Sequence, residues 1–170
     1  WEVYGNNVSL TAESSTETRI AYAAGYNWSN SHAYLKNALF APESGAGVVS
    51  FKFKANELAD GDWIPFGICW AKDSESTGSL NVNGLKMNVT NSGGNGFVQF
   101  YENHPTKLTE DVAISLTEYN TLTLICGPEG SNQVDVLVNG AKAFTYTNGG
   151  FYGMVAGANP TASMSLVVGG

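Results

Sequence analysis

Residues 119–147 read YNTLTLICGPEGSNQVDVLVNGAKAFTYT, and their alternation decides the kind of protein this is. Leu122, Leu124 and Cys126 alternate with Thr121, Thr123 and Ile125. An extended strand sends successive side chains to opposite faces, so this run has one apolar face. The polar stretch GPEGSN interrupts it, after which Val134, Val136 and Val138 share one phase. Asn139-Gly140 follows directly. This pair signals a two-residue hairpin, because the type I′ turn that matches strand twist needs positive φ at both central positions. The chain returns through 141–147, with Phe144 and Tyr146 out of phase with Ala143 and Thr145. An antiparallel ribbon with one apolar face predicts a second layer to cover it.

The same period of two recurs outward in both directions. Short strands are expected at 1–4, 8–12 and 18–24, and a clear one at 47–55, where Val49, Phe51 and Phe53 alternate with Ser50, Lys52 and Lys54. ELADGD then leads into DWIPFGICWA at 62–71, and an antiparallel pair joined by that loop is expected. Further strands are expected at 80–90 (Leu85, Met87, Val89 inward), 97–104 (Val98, Phe100 inward), around 112–116, at 151–158 and at 163–168, with NSGGNG turning the chain between the first two. Residues 33–40 alone fit a short helical turn, closed by Pro42 and Gly45. More than ten strands without covering helices predict an all-β fold, a two-sheet antiparallel β-sandwich (jelly roll). No linker or repeat divides residues 1–170, so one domain is expected.

The stretch 119–147 resembles the strand–loop–strand–NG–strand signature of concanavalin A-like (laminin G-like) jelly rolls. VSFKFKA at 49–55 and SMSLVVG at 163–169 stand where such domains place strands. The resemblance implies the sandwich fold, used by many non-catalytic carbohydrate-binding modules; it speaks to fold more than to function.

Composition narrows the function classes. The 170 residues hold 8 Lys plus Arg against 15 Asp plus Glu, a net charge of -7, which disfavours nucleic acid and anionic membranes as partners. No apolar run approaches the roughly 20 residues needed to span a bilayer. The opening WEVYGNN does not read as a signal peptide, so the chain is expected to be a piece of a larger secreted or cell-surface protein, acting outside the cell as a monomeric module. Cys69 and Cys126 lie in apolar strand-like runs and not in a metal-type cluster. Buried thiols and a disulfide both remain open.

Within DWIPFGICWA, Ile64, Phe66, Ile68 and Trp70 form one row, expected in the core, and Trp63, Pro65, Gly67, Cys69 and Ala71 the other. If 62–71, 80–90 and 97–104 lie in one sheet, its outer face presents Trp63, Lys86, Asn88, Phe97, Gln99 and Tyr101. Rings offer apolar area to a sugar, and amides bond its hydroxyls. The competing reading puts Phe97 and Tyr101 under a loop or the second sheet. A second candidate is the loop GYNWSNSH with Tyr26, Trp28 and His32, where Trp28 either binds sugar or plugs the sandwich end.

Catalysis is poorly supplied. The acid pairs Glu110-Asp111, Asp73-Glu75 and Asp60-Asp62 fall in loops or turns, the ExDxxE cluster of laminarinase-like enzymes is absent, and His32, His104 and Arg19 do not suggest a triad. No cofactor is expected beyond a structural calcium ion, for which Asp60, Asp62, Asp73 and Glu75 are the candidate ligands. The leading expectation is a non-catalytic module binding a neutral polysaccharide of glucan type, starch or β-glucan/xyloglucan. The alternative is an adhesin, lectin-like or spacer domain with a protein partner; a jelly-roll glycoside hydrolase comes third.

Overall fold

The structure, a computed structural model, describes residues 2–4, 8–22, 32–34, 47–55, 57–69, 84–101, 106–127, 133–147 and 165–169. These form β1 (Glu2–Tyr4), β2 (Val8–Ala12), β3 (Thr18–Tyr22), β4 (His32–Tyr34), β5 (Gly47–Phe53), β6 (Trp63–Cys69), β7 (Gly84–Ser92), β8 (Asn95–Tyr101), β9 (Val112–Ile114), β10 (Asn120–Cys126), β11 (Val134–Val138), β12 (Ala141–Tyr146) and β13 (Ser165–Gly169). A seven-stranded sheet runs β1-β4-β13-β6-β7-β8-β9 and a four-stranded sheet runs β12-β11-β10-β5, while β2 and β3 form a separate ribbon. The pairings are antiparallel. The protein is an all-β sandwich.

Both sheets contribute alternate residues to one core. In the seven-stranded sheet Ile64, Val89 and Val98 stand in register, as do Phe66, Met87 and Phe100; Leu85, Met87, Val89, Val98 and Phe100 are wholly buried. In the other sheet Leu122 lies between Phe51 and Val138, and Leu124 between Val49 and Val136. Phe53 meets Phe66 at 5.8 Å between ring centroids, and Phe100 meets Phe144 at 5.1 Å, both tilted. These two aromatic pairs join the sheets across the interior, in the angled geometry that rings prefer.

The hairpins expected at NSGGNG and at Asn139-Gly140 close on two-residue turns. Gly93 and Gly94 have φ of 61° and 79°, and Asn139 and Gly140 have 51° and 80°, the positive values a type I′ turn demands. Asn139 also accepts the Thr121 amide through its side chain at 2.8 Å and donates to Asn120 at 3.1 Å. Asn120 is 1% exposed, and its side chain bonds the backbone of Ser115 and Glu118. Those bonds offset the cost of burying an amide.

Two expectations are corrected. His32–Tyr34 is a strand paired on both sides, to β1 and β13, although residues 33–40 had suggested a helical turn; neighbouring strands override so short a local pattern. The strand at 47–55 does not pair with that at 62–71. β5 pairs with β10, and β6 with β7 and β13, so 57–62 crosses between sheets. Both strands carry an apolar row, and placing them in opposite sheets lets Phe53 face Phe66 instead of lying beside it. The crossing is tied to the end of β7: Gly61 N–H donates to Asn91 O at 2.9 Å, Asn91 Nδ2 to Leu58 O at 2.8 Å, Asn91 N to Asp62 O at 3.1 Å, and Gly93 N to Asp60 Oδ1 at 2.5 Å. The expectations for Trp1, Trp70 and 151–158 lie outside the described residues, as do the side chains of Cys69 and Cys126.

Asn91 is 9% exposed and also accepts the Gly94 amide at 3.1 Å. Asn91→Ala strips partners from Leu58 O and Gly94 N–H, so it is expected to cost about 2 kcal/mol in urea unfolding. A change below a few tenths of a kcal/mol would show that the crossing is held by other contacts.

Candidate functional site

β6, β7 and β8 lie side by side, so the residues out of phase with the core form three cross-strand rows on the outer face. The first is Trp63–Thr90–Phe97 and continues to Ala113 on β9. The second is Pro65–Asn88–Gln99 and the third Gly67–Lys86–Tyr101, beyond which Tyr101 bridges to Lys107. All six expected residues of this face are therefore brought together. Their exposure is uneven. Trp63 is 45% exposed, Phe97, Asn88, Gln99 and Lys86 are half-buried, Pro65 is buried, and Tyr101 is 6% exposed. The face is open at the Trp63 end and closes towards Tyr101.

A hydrogen-bonded chain fixes the polar groups. Tyr101 Oη donates to Gln99 Oε1 at 2.9 Å, Gln99 Nε2 donates to Asp111 Oδ2 at 2.8 Å, and Lys107 Nζ donates to Asp111 Oδ1 at 2.5 Å. Because a phenol donates to one end of the amide and a carboxylate accepts from the other, the orientation of Gln99 is set. Its second N–H provides further bonding capacity.

The electrostatics follow from the same contacts. Desolvation alone would raise the Asp111 carboxyl, but the hydrogen bonds from Lys107 and Gln99, with the Lys107 charge, outweigh it and hold the group below its ordinary value. The bond to Asp111 pushes the Lys107 ammonium up. Burial pushes the Tyr101 phenol up, against a smaller opposing pull from Lys107.

Little in the local sequence marks Asp111 and Lys107 as site residues. Residues 106–116 are poorly patterned, and Glu110-Asp111 read as solvated loop acids. The usable signal was the i, i+4 spacing of Lys107 and Asp111.

Tyr26 and Trp28 lie outside the described residues; His32 is on β4, its backbone opposite Tyr4 and Gly169, with its side chain outside them. Of the calcium candidates, Asp60 uses a carboxylate oxygen on the Gly93 amide and Asp62 is an exposed residue whose backbone closes the crossing, while Asp73 and Glu75 are outside the described residues. Among the described residues no group of three or more His, Cys, Asp or Glu gathers to hold a metal.

An open cleft of about 360 Å³ adjoins the first row, lined by residues 94–97 and 113–117. Gly96 permits the tight β8–β9 approach there, since a Cβ on it would sit 2.9 Å from Ile114 O and from Leu116.

No protein-family model matches the chain, and no curated protein sequence is significantly similar to it. Solved structures are similar in fold. The carbohydrate recognition domain of Emp46p in its metal-free form superposes with a TM-score of 0.52 at 14% identity, covering 81% of this chain and 68% of that one. The carbohydrate recognition domain of Emp47p gives 0.51 at 14% identity, covering 98% and 84%. A protein of unknown function from Shewanella oneidensis MR-1, SO2946, gives 0.54 at 14% identity, covering 98% and 68%. The chain shares the fold of two carbohydrate recognition domains. That agrees with the concanavalin A-like jelly roll expected from residues 119–147.

A depressed carboxyl stabilises the folded state above its unfolded pKa and loses that contribution as pH falls through the folded value. Carboxyl-detected NMR should show Asp111 titrating below the usual carboxylate range near about 4, and Lys107→Met should move its midpoint upward. An ordinary midpoint unaffected by Lys107→Met would contradict the ion pair.

Proposed function

We propose that this chain is a non-catalytic carbohydrate-binding module that grips a neutral polysaccharide on the outer face of the seven-stranded sheet. The observation that carries this reading is Trp63, a half-exposed indole in register beside the amide row Asn88–Gln99 on a lectin-type sandwich. Trp63 and Phe97 supply ring surface. Asn88 and Gln99 bond sugar hydroxyls, with Gln99 held in place by Tyr101 and Asp111. Asp111 neutralises Lys107 on this face, which suits an uncharged ligand of glucan type, α-linked as in starch or β-linked as in β-glucan or xyloglucan. Binding is reversible and needs neither cofactor nor bond cleavage. We place the module outside the cell or at its surface, monomeric and part of a secreted protein. Tyr101, as a closed-off ring, acts here by orienting Gln99 and not by stacking.

A second reading, a protein-binding adhesin or spacer, draws on the four-stranded sheet, where Val48 at 65% and Ile125 at 39% exposure stand opposite each other on β5 and β10. Such neighbouring exposed apolar side chains favour a protein contact.

Titration with soluble starch, xyloglucan, mixed-linkage glucan and mannan, followed by tryptophan fluorescence, should give saturable binding with at least one. Trp63→Ala should weaken it about tenfold or more, the loss of one stacking ring being worth at least about 1.4 kcal/mol, while unfolding stability changes by less than about 1 kcal/mol at this exposed position. No response to any of the four glucans and mannans would sink the proposal, and release of reducing ends by the purified protein would replace it with the hydrolase reading.

A further inference from the structure

We infer that the cleft between the β7–β8 turn and the β9 edge is a second sugar subsite, so that the ligand lies across the strands along Trp63–Thr90–Phe97–Ala113 and enters the cleft with its end or a branch. The inference rests on the carbohydrate-binding reading and adds direction, length and a second contact site to it.

Exposure along the sheet supplies the first argument. Within the outer face, Trp63 in the first row is 45% exposed, Pro65 in the second is buried, and Tyr101 in the third is 6% exposed. A chain laid along the strands from Trp63 therefore meets the buried Pro65 in the next row and Tyr101 in the third, with only the half-buried Asn88, Gln99 and Lys86 between. A chain laid across them does not: Thr90 and Phe97 are half-buried, Ala113 is exposed, and the cleft follows.

Spacing supplies the second. Neighbouring strands lie about 4.8 Å apart, so the Cα atoms of Trp63 and Phe97, two strands apart, are separated by about 10 Å. That matches the span of two successive rings in an extended glycan, so Trp63 and Phe97 can each meet a separate sugar. Ala113, one strand further on, has no bulk to block the path to the cleft.

The lining supplies the third. The cleft combines the apolar Phe97, Ala113 and Leu116 with the polar Asn95, Ser115 and Thr117. Ser115 Oγ accepts the amides of Thr117 and Glu118 at 3.2 and 3.0 Å, which holds this rim rigid. Such a mixed lining offers apolar surface to a sugar's C–H face and polar groups to its hydroxyls, and about 360 Å³ lies in the usual range of small-ligand sites. The ligand class is thus a neutral oligosaccharide of three or more units, not a single sugar.

The test is a length series of cello-, malto- and xylo-oligosaccharides of two to six units on the wild-type protein, with Trp63→Ala and Ala113→Ile. In wild type the affinity should rise about tenfold between two and four units. Trp63→Ala should lower it at every length, and Ala113→Ile, a good strand residue at an exposed position, should flatten the rise. Backbone amide shifts in wild type provide the check that does not depend on a variant. The longest ligand should perturb 63–64, 88, 90, 96–97, 99 and 113–117, and a disaccharide a smaller subset. Affinity independent of length, or shifts confined to Asn88, Gln99 and Tyr101, would overturn the inference while leaving the carbohydrate-binding reading standing. Absence of binding across the whole series would overturn both.

Discussion

The pairing register of β6, β7 and β8 governs the rest of the molecule. Side chains alternate with a period of two, so a slip of one residue would turn Leu85, Met87, Val89, Val98 and Phe100 out of the core together. Each such residue is worth roughly 1.5–3 kcal/mol of burial, which makes the slipped arrangement inaccessible. The Gly93-Gly94 turn, with both residues at positive φ, pins the same register from one end, and Asn91 ties that end to the crossing from the opposite sheet. What holds the inner face also determines the outer one. Trp63, Asn88 and Gln99 occupy their positions because their neighbours along the chain are core residues.

This coupling explains why parts of the structure were legible in the sequence. The phases of β7, β8, β10 and β11 are regular alternations over five residues or more, and among the described side chains the inward and outward sets read from them agree with the burial found, except at Tyr101. The six residues expected on the outer face come together for the same reason. Long-range choices were not legible. Whether β5 pairs with β6 or faces it depends on β10, a partner almost seventy residues further along, and a six-residue loop is compatible with either. The strand at His32–Tyr34 is too short to show any period and exists through its pairing to β1 and β13. Asp111 and Lys107 were hidden in an irregular segment, since a cross-strand contact with Gln99 leaves no local trace.

The burial of Tyr101 alters the chemistry expected of the face. A tyrosine in an aromatic–amide–aromatic row reads as a platform; here its ring is enclosed and its hydroxyl donates to Gln99. Exposed ring surface is thus concentrated at Trp63 and Phe97, at one end of the face, and the Tyr101–Gln99–Asp111–Lys107 chain forms a hydrogen-bonded polar border. Preorganised donors and acceptors lose little freedom when a ligand arrives. In a chain of net charge -7, pairing Asp111 with Lys107 keeps this border from presenting an uncompensated charge.

The most direct test of the account is a crystal structure of the protein with the longest oligosaccharide that binds it. The account predicts a sugar ring against the indole of Trp63 on the outer face of the seven-stranded sheet, with its hydroxyls bonded to Asn88 or Gln99. A sugar seated on the four-stranded sheet, or held away from Trp63 altogether, would contradict it.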